Sequence, residues 1–186
     1  IPGVAENPPD RCYSRNKALF TQIKDLAEKR EIQQVVDGSN LDDERDYRPG
    51  MQALAELEIK SPLRIVQLTK DEIRTLSQML SLPTWDKPSF ACLASRIPYG
   101  EPITKEKLAM IEKAELFLMA QGFKQMRVRC HDKLARIEVP EEDIPLLLNS
   151  DIREKIAVAF AKIGFIYTAI DIKGYRTGSL NEALKQ

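Results

Sequence analysis

Histidine is almost absent from this chain: His131 is the one imidazole in 186 residues. A Ser-His-Asp or Cys-His scheme has no other histidine to draw on, and His131 stands beside Asp132 at the predicted end of a strand, where capping or turn hydrogen bonding is the ordinary role. Cysteine is scarce too. Cys12, Cys92 and Cys130 are an odd set with no close pair, which argues against a disulfide framework and a complete zinc site and leaves reduced thiols as the default. Net charge is missing altogether, since 28 Lys and Arg balance 28 Asp and Glu. With no overall positive field to gather nucleic acid or a membrane surface, a partner of either kind is not expected. No apolar run approaches the roughly 20 residues that span a bilayer, and Ile1-Pro2-Gly3-Val4 lacks the basic and apolar regions of a signal peptide. The expected location is the cytoplasm. The chain also lacks an initial Met and runs into Asn7-Pro8-Pro9-Asp10 as interior sequence would, so the expectation is a truncated or processed fragment.

What is present is the balance of a soluble globular protein, with 43% hydrophobic residues beside 30% charged ones, enough for one ordinary domain or two small ones. Ser14 is placed to cap a helix carrying Leu19, Ile23 and Leu26 at helical spacing, and Glu31 to Val36 then reads as a short buried strand. That strand ends at the turn Asp37-Gly38-Ser39-Asn40, and Arg48-Pro49-Gly50 leads into a second helix over Met51 to Leu57. Thr69 and Glu72 have the spacing of a capping box for a third helix ending before Pro83. Alternation of this kind predicts a parallel, helix-covered sheet. After Thr104 the pattern becomes helix (Lys105 to Gln121, with Gly122 as its stop), strand (Phe123 to Cys130), strand (Leu134 to Val139), one or two helices to Ile163, and strand (Phe165 to Ile172). That is a small α+β unit, and the boundary is expected near residue 101, giving regions 1–100 and 101–186.

Between Pro83 and Pro102, four prolines, Gly100 and the aromatics Trp85, Phe90 and Tyr99 fall in a stretch with no period of either kind. A loop of that length inside a compact domain is usually functional. Cys92 lies in it, flanked by Phe90 and Leu93 and followed by Ser95 and Arg96. A nearby guanidinium favours the thiolate that nucleophilic attack requires, whereas Cys130, on the apolar face of a strand, reads as a small buried hydrophobe. In the hairpin, strand alternation puts Met126, Val128 and Cys130 on one face and Gln125, Arg127, Arg129 and His131 on the other, with Arg136 and Glu138 of the partner strand beside the two arginines. Three guanidinium groups and one carboxylate on one surface suit a bridging phosphate or carboxylate; the alternative is the wet face of an antiparallel sheet. Glu115 projects between Leu108 and Leu118 of a largely apolar helix and needs a partner: a metal ion, a hairpin arginine, or a structural salt bridge. Ser39, Asn40, Asp42 and Asp43 sit at the carboxyl end of a predicted strand, where open α/β sheets place ligands, and their donors and carboxylates suit a nucleotide or its Mg²⁺; Asx-rich turns and helix caps look the same.

Five segments, in order, resemble a known family: Asn7-Pro8-Pro9-Asp10-Arg11-Cys12-Tyr13; Asp37 to Asp43 with Tyr47-Arg48-Pro49-Gly50; Pro83 to Pro88 with Ala91-Cys92-Leu93-Ala94-Ser95-Arg96; Arg127-Val128-Arg129; and Gly174-Tyr175-Arg176-Thr177-Gly178-Ser179. Together they cover nearly the whole chain and are similar to the ATP-dependent sacrificial sulfur transferases of the LarE family. The resemblance implies an α/β fold: the C-terminal part of a PP-loop ATP pyrophosphatase domain, adenine nucleotide alpha hydrolase-like, followed by a small α+β domain for substrate binding and homo-oligomer contacts.

The same resemblance implies that ATP, with Mg²⁺, adenylates a carboxylate of a pyridinium biscarboxylate mononucleotide, that the family's cysteine displaces AMP, and that the cysteine then gives up its sulfur and becomes dehydroalanine. The product feeds assembly of the nickel-pincer nucleotide cofactor of lactate racemase. Cys92 matches the sacrificial position, Arg127 and Arg129 match the arginines that hold the substrate phosphate, and Ser95, Arg96 and Trp85 match substrate-binding positions. Glu115 and Asp143 match acidic metal or anion-organising residues. The Ser-Gly-Gly-x-Asp-Ser PP-loop does not occur in the chain, and Arg15 stands where some members carry the second cysteine of Cys-x-x-Cys, so no iron–sulfur cluster is expected. The rival readings are another PP-loop adenylating enzyme, such as a tRNA-thiolating or amide-forming ligase, and a non-catalytic fragment that keeps only substrate and subunit contacts.

Overall fold

Local chain signals account for the helices of the computed structural model, which describes residues 3–45, 49–87, 91–176 and 178–184. By its contacts the chain divides into Ile1–Val4 with Pro8–Ser89, and Ala5–Asn7 with Phe90–Gln186. The expected boundary near residue 101 falls later than this division, because Arg96 and Ile97 are buried within the second unit and the Asn7 amide, also buried, donates to the carbonyls of Ile97 (3.2 Å) and Pro98 (2.6 Å).

The first unit carries four helices: α1 (Arg11–Lys29), α2 (Gly50–Glu56), α3 (Pro62–Ile65) and α4 (Lys70–Met79). α1 starts ahead of the expected Ser14 cap, since the turn at Pro8 already bonds the Arg11 N–H to the Pro8 carbonyl and leaves Ser14 inside the helix. The capping box is as expected: the Thr69 hydroxyl accepts from the Glu72 N–H while the Glu72 carboxylate accepts from the Thr69 N–H. The predicted strand over Glu31 to Val36 is absent. Among the described residues, the parallel helix-covered sheet reduces to a single parallel bridge, Val36 with Lys60, because no neighbouring described strand completes a ladder.

All four helices of this unit close alike. In each, the residue one past the C-cap takes a left-handed φ (Glu31 56°, Glu58 55°, Gln67 59°, Ser81 56°). The next N–H, from Ile32, Ile59, Leu68 or Leu82, reaches back to the carbonyl of Ala27, Leu54, Leu63 or Ser77. An apolar residue after a left-handed turn, with that long backward bond, is the Schellman closure.

In the second unit, α5 (Lys105–Ala120) is capped by Thr104, whose hydroxyl accepts from the Lys107 N–H. It stops at Gly122, φ 99°, as its sequence predicts. The hairpin follows as β1 (Arg127–His131) antiparallel to β2 (Leu134–Glu138), then α6 (Ile144–Leu148), α7 (Ser150–Ile163) and β3 (Tyr167–Ile170), which lies parallel to β2. The result is a three-stranded mixed sheet in the order β1-β2-β3; β1 starts four residues later than expected and ends one later, β2 ends one residue early, and β3 is two residues shorter at each end. Alternation puts Val128, Cys130, Ala135, Ile137 and Val139 against Ile111, Ala114 and Leu118 of α5 and Phe160 of α7, one contiguous core. Asn149 caps α7 by accepting from the Asp151 and Ile152 N–H groups. Among the described residues no helix is long and apolar enough to cross a membrane.

Candidate active site

The polar face of the hairpin is where the structure departs most from a wet sheet. The register pairs Arg127 with Glu138 and Arg129 with Arg136, and Arg127, Arg129 and Glu138 are all buried, Glu138 completely. Charges out of water require partners and geometry that satisfy their donors. Arg129 meets that need with a two-pronged pair on Glu138, Nε to Oε1 at 2.9 Å and Nη2 to Oε2 at 2.7 Å, while Nη2 also donates to the Ser179 hydroxyl and Nη1 to the Ser95 carbonyl at 2.6 Å. Arg136 shares Glu138 at 3.1 Å and reaches Asp171 at 3.6 Å, and Asp171 in turn meets Arg176. Arg127 donates to the Met126 carbonyl and lies 5.1 Å from the centroid of the Tyr175 ring. Burial, and then the neighbouring Arg96 charge, push its pKa below the ordinary arginine value. An anion that bridges Arg129 and Arg136 is therefore supplied by the chain itself, as Glu138.

Cys92 sits above this layer. It precedes a short 3₁₀ turn, Leu93–Arg96, and is exposed, whereas Cys130 is buried on the core face and Cys12 is intermediate. Burial raises the Cys130 pKa, which keeps that thiol protonated and inert. Arg96, expected at the ligand, lies under the loop instead, 1% exposed. Its Nε and Nη2 pair with the two oxygens of Glu115 at 2.8 and 2.9 Å, and its Nη1 donates to the carbonyls of Ala91 (2.8 Å) and Cys92 (3.1 Å) and to the Ser95 hydroxyl. Glu115 is thus partnered by Arg96 and by the Val128 N–H at 3.0 Å, the salt-bridge alternative, rather than by a hairpin guanidinium. The Ser95 hydroxyl donates to the Cys92 carbonyl at 2.7 Å. Phe90, the expected aromatic neighbour of Cys92, lies outside the described residues, as do Tyr47, Arg48, Pro88 and Thr177 of the family segments.

The remaining candidates belong to other elements. Asp143 ends the 3₁₀ turn Glu141–Asp143 before α6, and among the described residues no group of three or more His, Cys, Asp or Glu side chains stands close enough to hold a metal ion. Trp85 belongs to the first unit and is 39% exposed. Around the Asp37 turn, Asp37 accepts from the hydroxyls of Ser39 and Ser61, Asn40 Oδ1 from the Asp42 N–H, Asp43 from the Asn40 N–H, and Asp42 from the Lys70 N–H. These are the bonds of an Asx turn and a helix start. Among the described residues the His131 Nε2 has no hydrogen-bond partner; burial and then the nearby Arg136 charge lower its pKa.

Four participants went unassigned in the sequence reading: Glu138 as the buried counter-ion, Asp171, Ser179 and Tyr175. The signal for the last two was the Gly174-to-Ser179 segment. Gly174 has φ +64°, and a Cβ there would stand 2.7 Å from the Val139 carbonyl oxygen, so glycine lets this segment lie against the end of β2. The Tyr175 N–H then bonds Val139 at 2.7 Å.

Comparison with known proteins bears on this arrangement. No protein-family model matches the chain. It is 44% identical over 183 residues to a Synechocystis sp. protein of uncharacterised function, covering 98% of this chain and 68% of that one. It is 34% identical over 183 residues to the pyridinium-3,5-bisthiocarboxylic acid mononucleotide synthase of Lactiplantibacillus plantarum, covering 97% and 65%. The similarity to that LarE-type synthase runs over nearly the whole of this chain. An uncharacterised Methanocaldococcus jannaschii protein is 33% identical over 177 residues, covering 95% and 68%. The chain therefore spans about two thirds of the length of these relatives.

Proposed function

We propose that this chain carries the sulfur-donating part of an ATP-dependent sulfur transferase that converts carboxylates of a pyridinium-3,5-biscarboxylate mononucleotide to thiocarboxylates, in nickel-pincer nucleotide cofactor biosynthesis. The observation that carries the reading is the placement of Cys92: an exposed thiol on a loop whose main chain is gripped by Arg96 and Arg129, in a relative of a protein named for a bisthiocarboxylic acid mononucleotide. A thiolate cannot expel oxide from a free carboxylate, so the acyl group must first be activated; ATP would do this as co-substrate, leaving an acyl adenylate. Cys92 sulfur attacks the acyl carbon, its C–S bond forming as the bond to AMP breaks. Loss of the Cys92 α-proton then drives out the Cβ–S electron pair with the sulfur, giving the thiocarboxylate and a dehydroalanine. Arg127, stacked on Tyr175 beside Arg129, is the proposed contact for the substrate's phosphate, where a planar fork of donors suits an anion.

In the same reading the first unit is the C-terminal part of a PP-loop ATP pyrophosphatase domain, with Ser39, Asn40, Asp42 and Asp43 oriented toward ATP and its Mg²⁺. The internal bonds of that turn support the reading only by holding its main chain in one shape. The exposed Ile166, Tyr167 and Ile172 around the edge strand β3 favour assembly with further copies. The test is to incubate the complete gene product with ATP, Mg²⁺ and the pyridinium biscarboxylate mononucleotide, then map the peptide bearing residue 92. That peptide should lose the elements of H₂S in step with thiocarboxylate formation. Thiocarboxylate appearing while Cys92 stays intact, or sulfur arriving on tRNA instead, would overturn it.

A further inference from the structure

We propose, on the reading of Cys92 as the sulfur donor, that the buried Glu115–Arg96 ion pair is the positioning device for its thiol, acting through the loop's main chain and with Arg129–Glu138 as a second anchor. The loop has little of its own to hold it. A four-residue 3₁₀ turn has strained hydrogen-bond geometry and little intrinsic stability, and the described residues on either side of it join no ladder or helix. Its conformation is instead set from below. The Cys92 carbonyl accepts from the Arg96 Nη1 (3.1 Å), the Ser95 hydroxyl (2.7 Å) and the Ser95 N–H (2.9 Å), and the Ala91 carbonyl accepts from the same Nη1.

Arg96 cannot swing, because the other edge of its fork is clamped by both oxygens of Glu115. Glu115 is fixed in turn by α5 and by the Val128 N–H, so the line of support runs from the core through Glu115 and Arg96 to the carbonyls at 91 and 92. On the far side of the turn, Arg129 holds the Ser95 carbonyl and is itself clamped by Glu138. With 1% of its surface exposed, Arg96 is a positioning residue and not one that touches the ligand. A nucleophile needs such support because a displacement near 1 Å costs on the order of a hundredfold in rate.

The test uses the complete gene product and Arg96→Lys. Lysine keeps a cation opposite Glu115 but loses the fork that reaches the loop carbonyls. Amide exchange at Ser95 and Ile97 should quicken by about tenfold or more, because the bonds closing the turn open locally. The single-turnover rate of sulfur loss at saturating mononucleotide should fall roughly ten- to a hundredfold, with the half-saturating concentration unchanged. Ser95→Ala, which deletes the hydroxyl's link to the Cys92 carbonyl and its bond from the Arg96 Nη1 but leaves the Arg96–Glu115 pair in place, should move exchange and rate the same way by less, and it decides the matter alone if Arg96→Lys fails to fold. An increased half-saturating concentration at an unchanged limiting rate would mean that the guanidinium meets the ligand and would overturn the proposal, as would unchanged exchange and rate in both variants. Cys92→Ser separates the two levels: continued sulfur transfer by that variant would remove the sulfur-donor reading, while exchange at residues 95 and 97 still reports whether the brace holds the loop.

Discussion

α5 and α7 of the second unit end on Gly122 and Gly164, at φ 99° and 119°, whereas every helix of the first unit ends through a non-glycine residue forced into the same left-handed region. The contrast extends to burial. The contiguous core, from Ile97 through Phe160 to Phe165, lies wholly in the second unit, while the first buries Ala27, Ala53, Leu54 and Ile59 and leaves Leu80, Met79 and Val66 largely exposed. Beside those few buried residues runs an open groove of about 620 Å³, lined by Ile32, Val35, Leu57 and Ile59 among others. The second unit is therefore specified by packing as well as by local signals. In the first unit capping box, Schellman closures and proline-led helix starts shape the helices with little packing behind them.

Four substitutions sharpen or break that comparison, each read by urea denaturation with amide exchange reporting the two units separately. Phe160→Ala removes a ring that is 0% exposed and packs against Phe117 and Phe165, and should cost the second unit about 4 kcal/mol. Leu80→Ala, at a residue 72% exposed, should change the first unit by less than about 0.5 kcal/mol, and similar losses from the two would erase the contrast. Glu138→Gln keeps the volume but removes the charge that neutralises Arg129 and Arg136, and should cost about 2–3 kcal/mol; a near-zero loss would mean that water reaches those guanidinium groups. The last effect is a gain. Ser81→Gly relieves a left-handed backbone at the end of α4, offset in part by glycine's larger chain entropy, and should stabilise the first unit by about 0.5 kcal/mol.

Elements whose cause is local were legible in the sequence: the Thr69 and Glu72 capping box, the Gly122 stop, the hairpin and its two faces. Cys92 and Cys130 were separable for the same reason, since strand alternation alone assigns Cys130 to the core. The strand over Glu31 to Val36 was misread because a run of apolar residues shows willingness to pair but not the presence of a neighbour. Arg96 was misread because a guanidinium four positions from a candidate nucleophile in the chain looks like a ligand contact, while its burial depends on Glu115, nineteen positions away, which only the tertiary fold brings beneath it. Glu138 was placed beside the arginines but not recognised as their counter-ion, since alternation fixes the face of a side chain and says nothing of what later covers it. Here that cover comes from the Cys92 loop and Ser179.

The bonds that shape the Cys92 loop end on oxygen atoms of the main chain, at positions 91, 92 and 95. Exchange of the sulfur for nothing, as in a dehydroalanine, would leave each of those contacts with both of its atoms. On the proposed sulfur-donor reading, a spent molecule should then keep the shape of this loop and compete with fresh copies for the mononucleotide.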